Sequence, residues 1–146
     1  MNFNCFMWLV FAALSSVTAA FVAIFGKMGL KGIDPTLGTT LRGLIMVVFL
    51  LLITTATGAW RGFSFANFER KDWLFLLLAS LCGALSWLFY FIALKTGDAT
   101  RVAAIDRTSI IFVIVLAAFF LGESLTIKSI AGAILIATGT FLVVLR

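Results

Sequence analysis

Five stretches without a charged residue organise this 146-residue chain: Met1–Gly26, Gly43–Trp60, Trp73–Leu94, Thr108–Gly122 and Ser129–Leu145. A helix needs roughly 20 mostly apolar residues to cross the hydrocarbon layer. Each block reaches or approaches that length once its flanks are added. A soluble helical bundle would instead have to hide Phe, Leu, Ile and Val on all sides of every helix. The charged fraction of 12% is about half the roughly 25% usual in soluble domains. The chain therefore reads as an all-α membrane protein of five transmembrane helices, filling residues 1–146 as a single domain with nothing left for a soluble one.

Ser16, Val17, Thr18, Ala19 and Ala20 look like a signal-peptide cleavage region, but no positive side chain precedes the apolar run and the run continues through Phe25. It is read as the first span, from about Cys5 to Phe25, ended by Gly26 and Gly29 near Lys27 and Lys31. Asp34 followed by Pro35 is a helix-start signal, with a side-chain acceptor at the cap and a proline where no donor is needed. The second span runs from there to about Thr57. Between Gly58 and Asp72, the aromatics Trp60, Phe63, Phe65, Phe68 and Trp73 interleave with Arg61, Glu69, Arg70 and Lys71, which suits a loop at the membrane interface. A third span covers about Trp73–Leu94, with Gly97 as terminator. The fourth, capped by Asp98 or Thr100, covers about Arg101–Leu121. The fifth, capped by Ser124 or Thr126, covers about Ile127–Leu145.

Five spans put the termini on opposite sides. Loop cations on the N-terminal side are Arg61, Arg70, Lys71 and Lys128, against Lys27, Lys31, Lys95, Arg101 and Arg146 on the other, where Arg42 and Arg107 lie deeper. The positive-inside rule leans toward a cytoplasmic C-terminus, though so even a balance also suits insertion in both orientations. The net charge of +5 sits at the ends of apolar blocks, where it sets topology and meets headgroups, so no nucleic-acid partner is expected. Histidine is absent, and Cys5 and Cys82 each fall within a span. No metal site, cofactor or catalytic constellation is expected, and the chain is not read as an enzyme.

Three charges intrude on the spans. Arg42 lies eight residues beyond Asp34, about 12 Å along a helix at 1.5 Å per residue. Asp106 and Arg107 lie at similar depth in the fourth span, entered from the same side. Interior charges of this kind face a partner or a watery cavity. One reading is an Arg42–Asp106 pair with Arg107 lining a vestibule, so that the three ring the mouth of a polar pathway; the plainer one is that all reach headgroups. Trp87 and Tyr90 fall in the same leaflet and suit a wet cavity wall, although aromatics there also suit lipid or packing. In the fifth span, Gly132 and Gly139 share a face next to an Ala133–Ala137 step, as in helices that pack closely, within one chain or between two.

The runs Ile92-Ala93-Leu94-Lys95-Thr96-Gly97-Asp98-Ala99, Val102-Ala103-Ala104-Ile105-Asp106-Arg107-Thr108-Ser109, Leu121-Gly122-Glu123-Ser124-Leu125 and Gly132-Ala133-Ile134-Leu135-Ile136-Ala137-Thr138-Gly139 resemble the EamA group of the drug/metabolite transporter superfamily. Lys27, Gly29 and Leu41-Arg42 add a looser likeness in the first half. Many two-repeat members carry a proline in the fourth helix, where this chain has an acid followed by a base, similar to the short single-repeat members. The fifth helix also resembles the dimerising helix of small multidrug resistance proteins, whose first-helix acid has no counterpart between Cys5 and Phe25. The resemblance implies one five-helix repeat of a transporter that works by alternating access. A homodimer, possibly antiparallel, would supply the second repeat. The expected role is transport of a small metabolite across a cell membrane (the inner membrane in a bacterium), with membrane lipid around it. The excess of Arg42 and Arg107 over Asp106 favours an anionic or zwitterionic substrate. Alternatives are a membrane scaffold subunit that transports nothing, and a flippase for a lipid-linked sugar.

Overall fold

The structure, a computed structural model, describes residues 3–61, 63–64 and 68–145. Phe65 of the aromatic loop and the cation Arg146 lie outside the described residues. All regular structure among them is helical: α1 (Phe3–Gly29), α2 (Pro35–Ala56), α3 (Arg70–Thr96), α4 (Ala99–Asp106), α5 (Ser109–Leu116) and α6 (Ile127–Val144), with a π-type turn at Ala117–Leu121 between α5 and α6. Five segments are long and apolar enough to span a membrane, α4, α5 and the π turn together making the fourth. Large apolar side chains face outward on all of them, with Phe119 81% and Ile127 87% exposed. Only a lipid solvent tolerates such a surface.

Two compact units emerge, residues 29–95 carrying α2 and α3, and residues 1–28 with 96–146 carrying α1, α4, α5 and α6. In the first of these, Asp34 caps α2 as its sequence suggests, its Oδ1 accepting from the backbone N–H groups of Thr36 (2.8 Å) and Leu37 (3.3 Å). The hydrogen bonds from Leu37 and Thr36 hold the carboxyl below its ordinary value. The cap's contribution is therefore complete above the ordinary aspartate range and is lost as pH falls through the lowered folded value. The connection into α2 is tight: a Cβ on Gly38 would stand 2.9 Å from Leu30 Cδ2, and Leu30 is buried. Beyond α2, Gly58 takes a left-handed φ of 66° to turn the chain. A run of ring contacts follows, from Trp60 to Phe63 (5.8 Å), Phe63 to Phe68 (5.7 Å) and Phe68 to Trp73 (5.4 Å). α3 begins three residues before the expected Trp73, because Asp72 Oδ2 reaches back to accept from the Glu69 N–H at 3.0 Å, one half of a capping box.

In the second unit, the fourth span departs from the single helix expected over Arg101–Leu121. Asp98 holds the cap position of α4, yet its carboxylate makes no cap hydrogen bond and pairs with Arg101 at 3.3 Å. At Arg107 and Thr108 the chain tightens: ψ falls to −16° and −13°, nearer 3₁₀ than α values. The Thr108 N–H then donates to Ile105 O (3.0 Å), Ile110 to Arg107 O (3.3 Å) and Ile111 to Thr108 O (2.9 Å). Thr108 Oγ1 also takes Ile105 O, at 2.7 Å, a local bond of the kind that competes with the helix ladder. In an unbroken α-helix Ala104 O would accept from Thr108 N; here it accepts from Thr140 Oγ1 on α6 at 3.1 Å. An unsatisfied carbonyl costs several kcal/mol in hydrocarbon, and a hydroxyl from a neighbouring helix is one of the ways membrane proteins avoid that cost.

The span ends where Gly122 adopts φ 67° and the N–H groups of Gly122 and Glu123 both return to Ala117 O, the second at 3.3 Å, a left-handed glycine stop one residue wider than a Schellman closure. Of the two candidate caps for the last helix it is Thr126 that serves, accepting from Ser129 N–H at 3.1 Å.

Thr140→Val is expected to destabilise the protein by about 0.6–1.7 kcal/mol, the range for interhelical hydrogen bonds in membrane proteins. Thr138→Val is the control, since Thr138 Oγ1 bonds back to Ile134 O of its own helix, at 2.8 Å. Reversible unfolding in mixed micelles compares the two, and equal losses would deny the Thr140–Ala104 bond its role.

Candidate functional site

Arg42 occupies the second turn of α2, and its guanidinium carbon stands 3.6 Å from the centre of the Trp87 ring on α3. Phe91, one turn further along α3, lies 5.6 Å from the same carbon. Trp87, Tyr90 and Phe91 occupy positions i, i+3 and i+4, which share one side of a helix. Tyr90 meets Trp87 edge-on at 5.7 Å and Phe91 edge-on at 6.3 Å, while Trp87 and Phe91 are tilted rings 6.0 Å apart. Phe91 is buried, 4% exposed, and Arg42, Trp87 and Tyr90 are half-buried. A cation over an aromatic face gains about 2 kcal/mol when desolvated. The structure thus brings together Arg42, Trp87 and Tyr90, and adds Phe91, which the sequence reading passed over. Its signal was the four-residue step from Trp87.

Asp106 and Arg107 lie in the other unit, at the break between α4 and α5, and both are exposed. The break leaves Asp106 as the last residue of α4, beside carbonyls carrying partial negative charge. Lys27, read from sequence as a topology charge, is half-buried here, and its Nζ donates to Gly97 O at 2.9 Å. That bond ties the end of α1 to the α3–α4 connection. Most span hydroxyls are occupied locally: Thr18, Thr39, Thr40, Thr54, Thr55 and Ser80 each donate to a carbonyl one turn back. At the opposite end of α2, about 20 Å from Arg42 at 1.5 Å per residue, Thr55, Thr57, Trp60 and Arg61 line an open cavity of ≈ 300 Å³.

α6 packs on α4, and its half-buried positions Ser129, Gly132, Ala133, Ile136, Ala137, Thr140 and Val144 form one stripe. The Ala133–Ala137 step therefore falls on the stripe along which α6 is packed within the chain. Gly132 stands at its edge, while Gly139 is exposed. A Cβ on either glycine would meet nothing within 4 Å among the described residues.

Helices of this length and outward apolarity define a multi-pass α-helical membrane protein. Residues 6–145 match the EamA-like transporter family, and the chain belongs to it. It is 39% identical over 135 residues to an uncharacterized transporter in the cobO 3′ region of a Sinorhizobium species, covering 92% of this chain and 94% of that one. It is 30% identical over 135 residues to the uncharacterized transporter YvbV of Bacillus subtilis (strain 168), covering 88% of this chain and 42% of that one. The chain thus spans less than half the length of that longer relative. No solved structure matches it.

Proposed function

We propose that the chain is one five-helix repeat of a metabolite transporter, working as a homodimer by alternating access on an anionic or zwitterionic solute. The observation that carries the substrate class is the Arg42 guanidinium on the Trp87 face, 3.6 Å from its centre: a permanent cation held in a span. Membership of the EamA-like family supports transport. The alignment over 42% of a longer relative suits a single repeat, for which a second copy, possibly antiparallel, would complete the pathway. In this reading Arg42, Trp87, Tyr90 and Arg107 line the solute's route. Asp106 is the acid through which proton or sodium coupling would run.

Liposomes containing only this chain test the proposal. Labelled anionic and zwitterionic metabolites are expected to enter several-fold faster than into protein-free vesicles, with cationic ones unaffected. Folded protein giving no flux of any solute would leave a scaffold subunit, and inhibition by polyprenyl phosphates would mark a lipid-linked sugar as the cargo.

A further inference from the structure

A guanidinium carries its five N–H donors in its own plane. The Arg42 carbon lies 3.6 Å from the Trp87 centroid, which is van der Waals contact. An upright guanidinium would drive one or two nitrogens into the ring at that distance, so the plane lies flat on the indole. A flat stack uses the face of the cation and none of its donors. The rings that fix the indole are Tyr90, edge-on at 5.7 Å, and the buried Phe91. Within this unit no carboxylate pairs with Arg42 among the described residues. α2 has no other charged residue, and α3 has none between Trp73 and Leu94. The site is therefore a held cation whose donor fork lies parallel to the ring that supports it, with its N–H groups directed outward in that plane.

We propose that Arg42, stacked on Trp87, is an in-plane receptor for an oxyanion, a carboxylate or phosphate group gripped by two parallel N–H···O bonds. Trp87 is a positioning residue that keeps the fork open and aimed. This rests on the anionic-solute reading above and adds its chemistry: a planar, bidentate match rather than attraction to a point charge. Lysine at position 42 would keep the charge and lose both the stack and the fork, so Arg42→Lys is expected to impair recognition as much as Arg42→Ala. Arginine stays protonated in proteins, so the receptor itself works across the physiological pH range.

The test is the rate at which phenylglyoxal modifies Arg42 in the full chain, mapped by mass spectrometry. In nonionic maltoside micelles, which hold no phosphate, inorganic phosphate or acetate is expected to slow Arg42 labelling about tenfold relative to chloride at equal ionic strength, as charge-assisted hydrogen bonds allow. Arg61 and Arg70 are expected to show no such preference. Trp87→Leu should abolish the protection and Trp87→Phe should retain part of it; if the leucine variant does not fold, the phenylalanine variant and the parent decide. Vesicles of phosphatidylcholine and phosphatidylglycerol separate the sources. Shielding without added phosphate assigns the anion to a lipid headgroup, and shielding only on addition assigns it to a dissolved solute; both uphold the receptor. Equal labelling in chloride and phosphate overturns it. So does faster labelling in tetramethylammonium, which would make the rings a cation cage with Arg42 as occupant. Labelling requires no transport, so a shielded Arg42 in vesicles without flux removes only the transporter reading. Anion flux with an unshielded Arg42 removes only the receptor.

Discussion

Gly139→Leu is expected to convert the proposed homodimer to monomer and to abolish transport while leaving the single chain folded. The expectation rests on Gly139 being exposed, with no atom within 4 Å of a Cβ built there, so a larger side chain disturbs nothing inside the protomer. In a dimer seam the same leucine would hold two helices apart and forfeit close van der Waals contact along a face, which is the main attraction between helices in lipid. Overfilling a packed surface costs about 1–3 kcal/mol, enough to weaken association by roughly one to two orders of magnitude. Gly132→Leu serves as the companion: it stands at the edge of the stripe packed within the chain, so some loss of protomer stability is expected along with dimer loss. Subunit counting by photobleaching in lipid and unfolding in micelles read the two effects separately. A Gly139→Leu protein that stays dimeric and transports normally would take α6 out of the interface.

The spans were legible because length of apolar run is a local property, and a bilayer imposes it residue by residue. The caps at Asp34 and Thr126 were legible for the same reason: acceptor and donor lie within three residues of each other. The early start of α3 was written in Asp72 but needed the carboxylate to be read backwards, toward Glu69. The break in the fourth span was visible only as a polar quartet, Asp106-Arg107-Thr108-Ser109, and charge drew attention away from backbone. Whether such a quartet breaks a helix depends on what meets the freed carbonyl. The answer, Thr140, lies 36 residues away. The bond from Lys27 to Gly97 spans 70 residues and was hidden likewise. At the candidate site, the three-residue step from Trp87 to Tyr90 was plain in the sequence, whereas Arg42 over the ring is tertiary packing between α2 and α3. Polarity along the chain thus located the unusual residues, and their partners came only with the fold.

Removing Arg42 is expected to have the largest effect of any single change proposed. Arg42→Ala takes the cation from the Trp87 ring, whose centre lies 3.6 Å away, at a cost of about 2 kcal/mol, and transport is expected to be lost with the solute's receptor. Asp106 ends α4 and is exposed, so Asp106→Ala is expected to fold like the parent, and unfolding in mixed micelles compares the two. Asp106→Asn makes the last distinction: it keeps the shape and removes the titratable group, so flux that loses its pH dependence while solute binding persists would assign Asp106 to coupling. Single variants that fold and transport like the parent would show instead that both charges merely reach the headgroups, and that the pathway runs elsewhere.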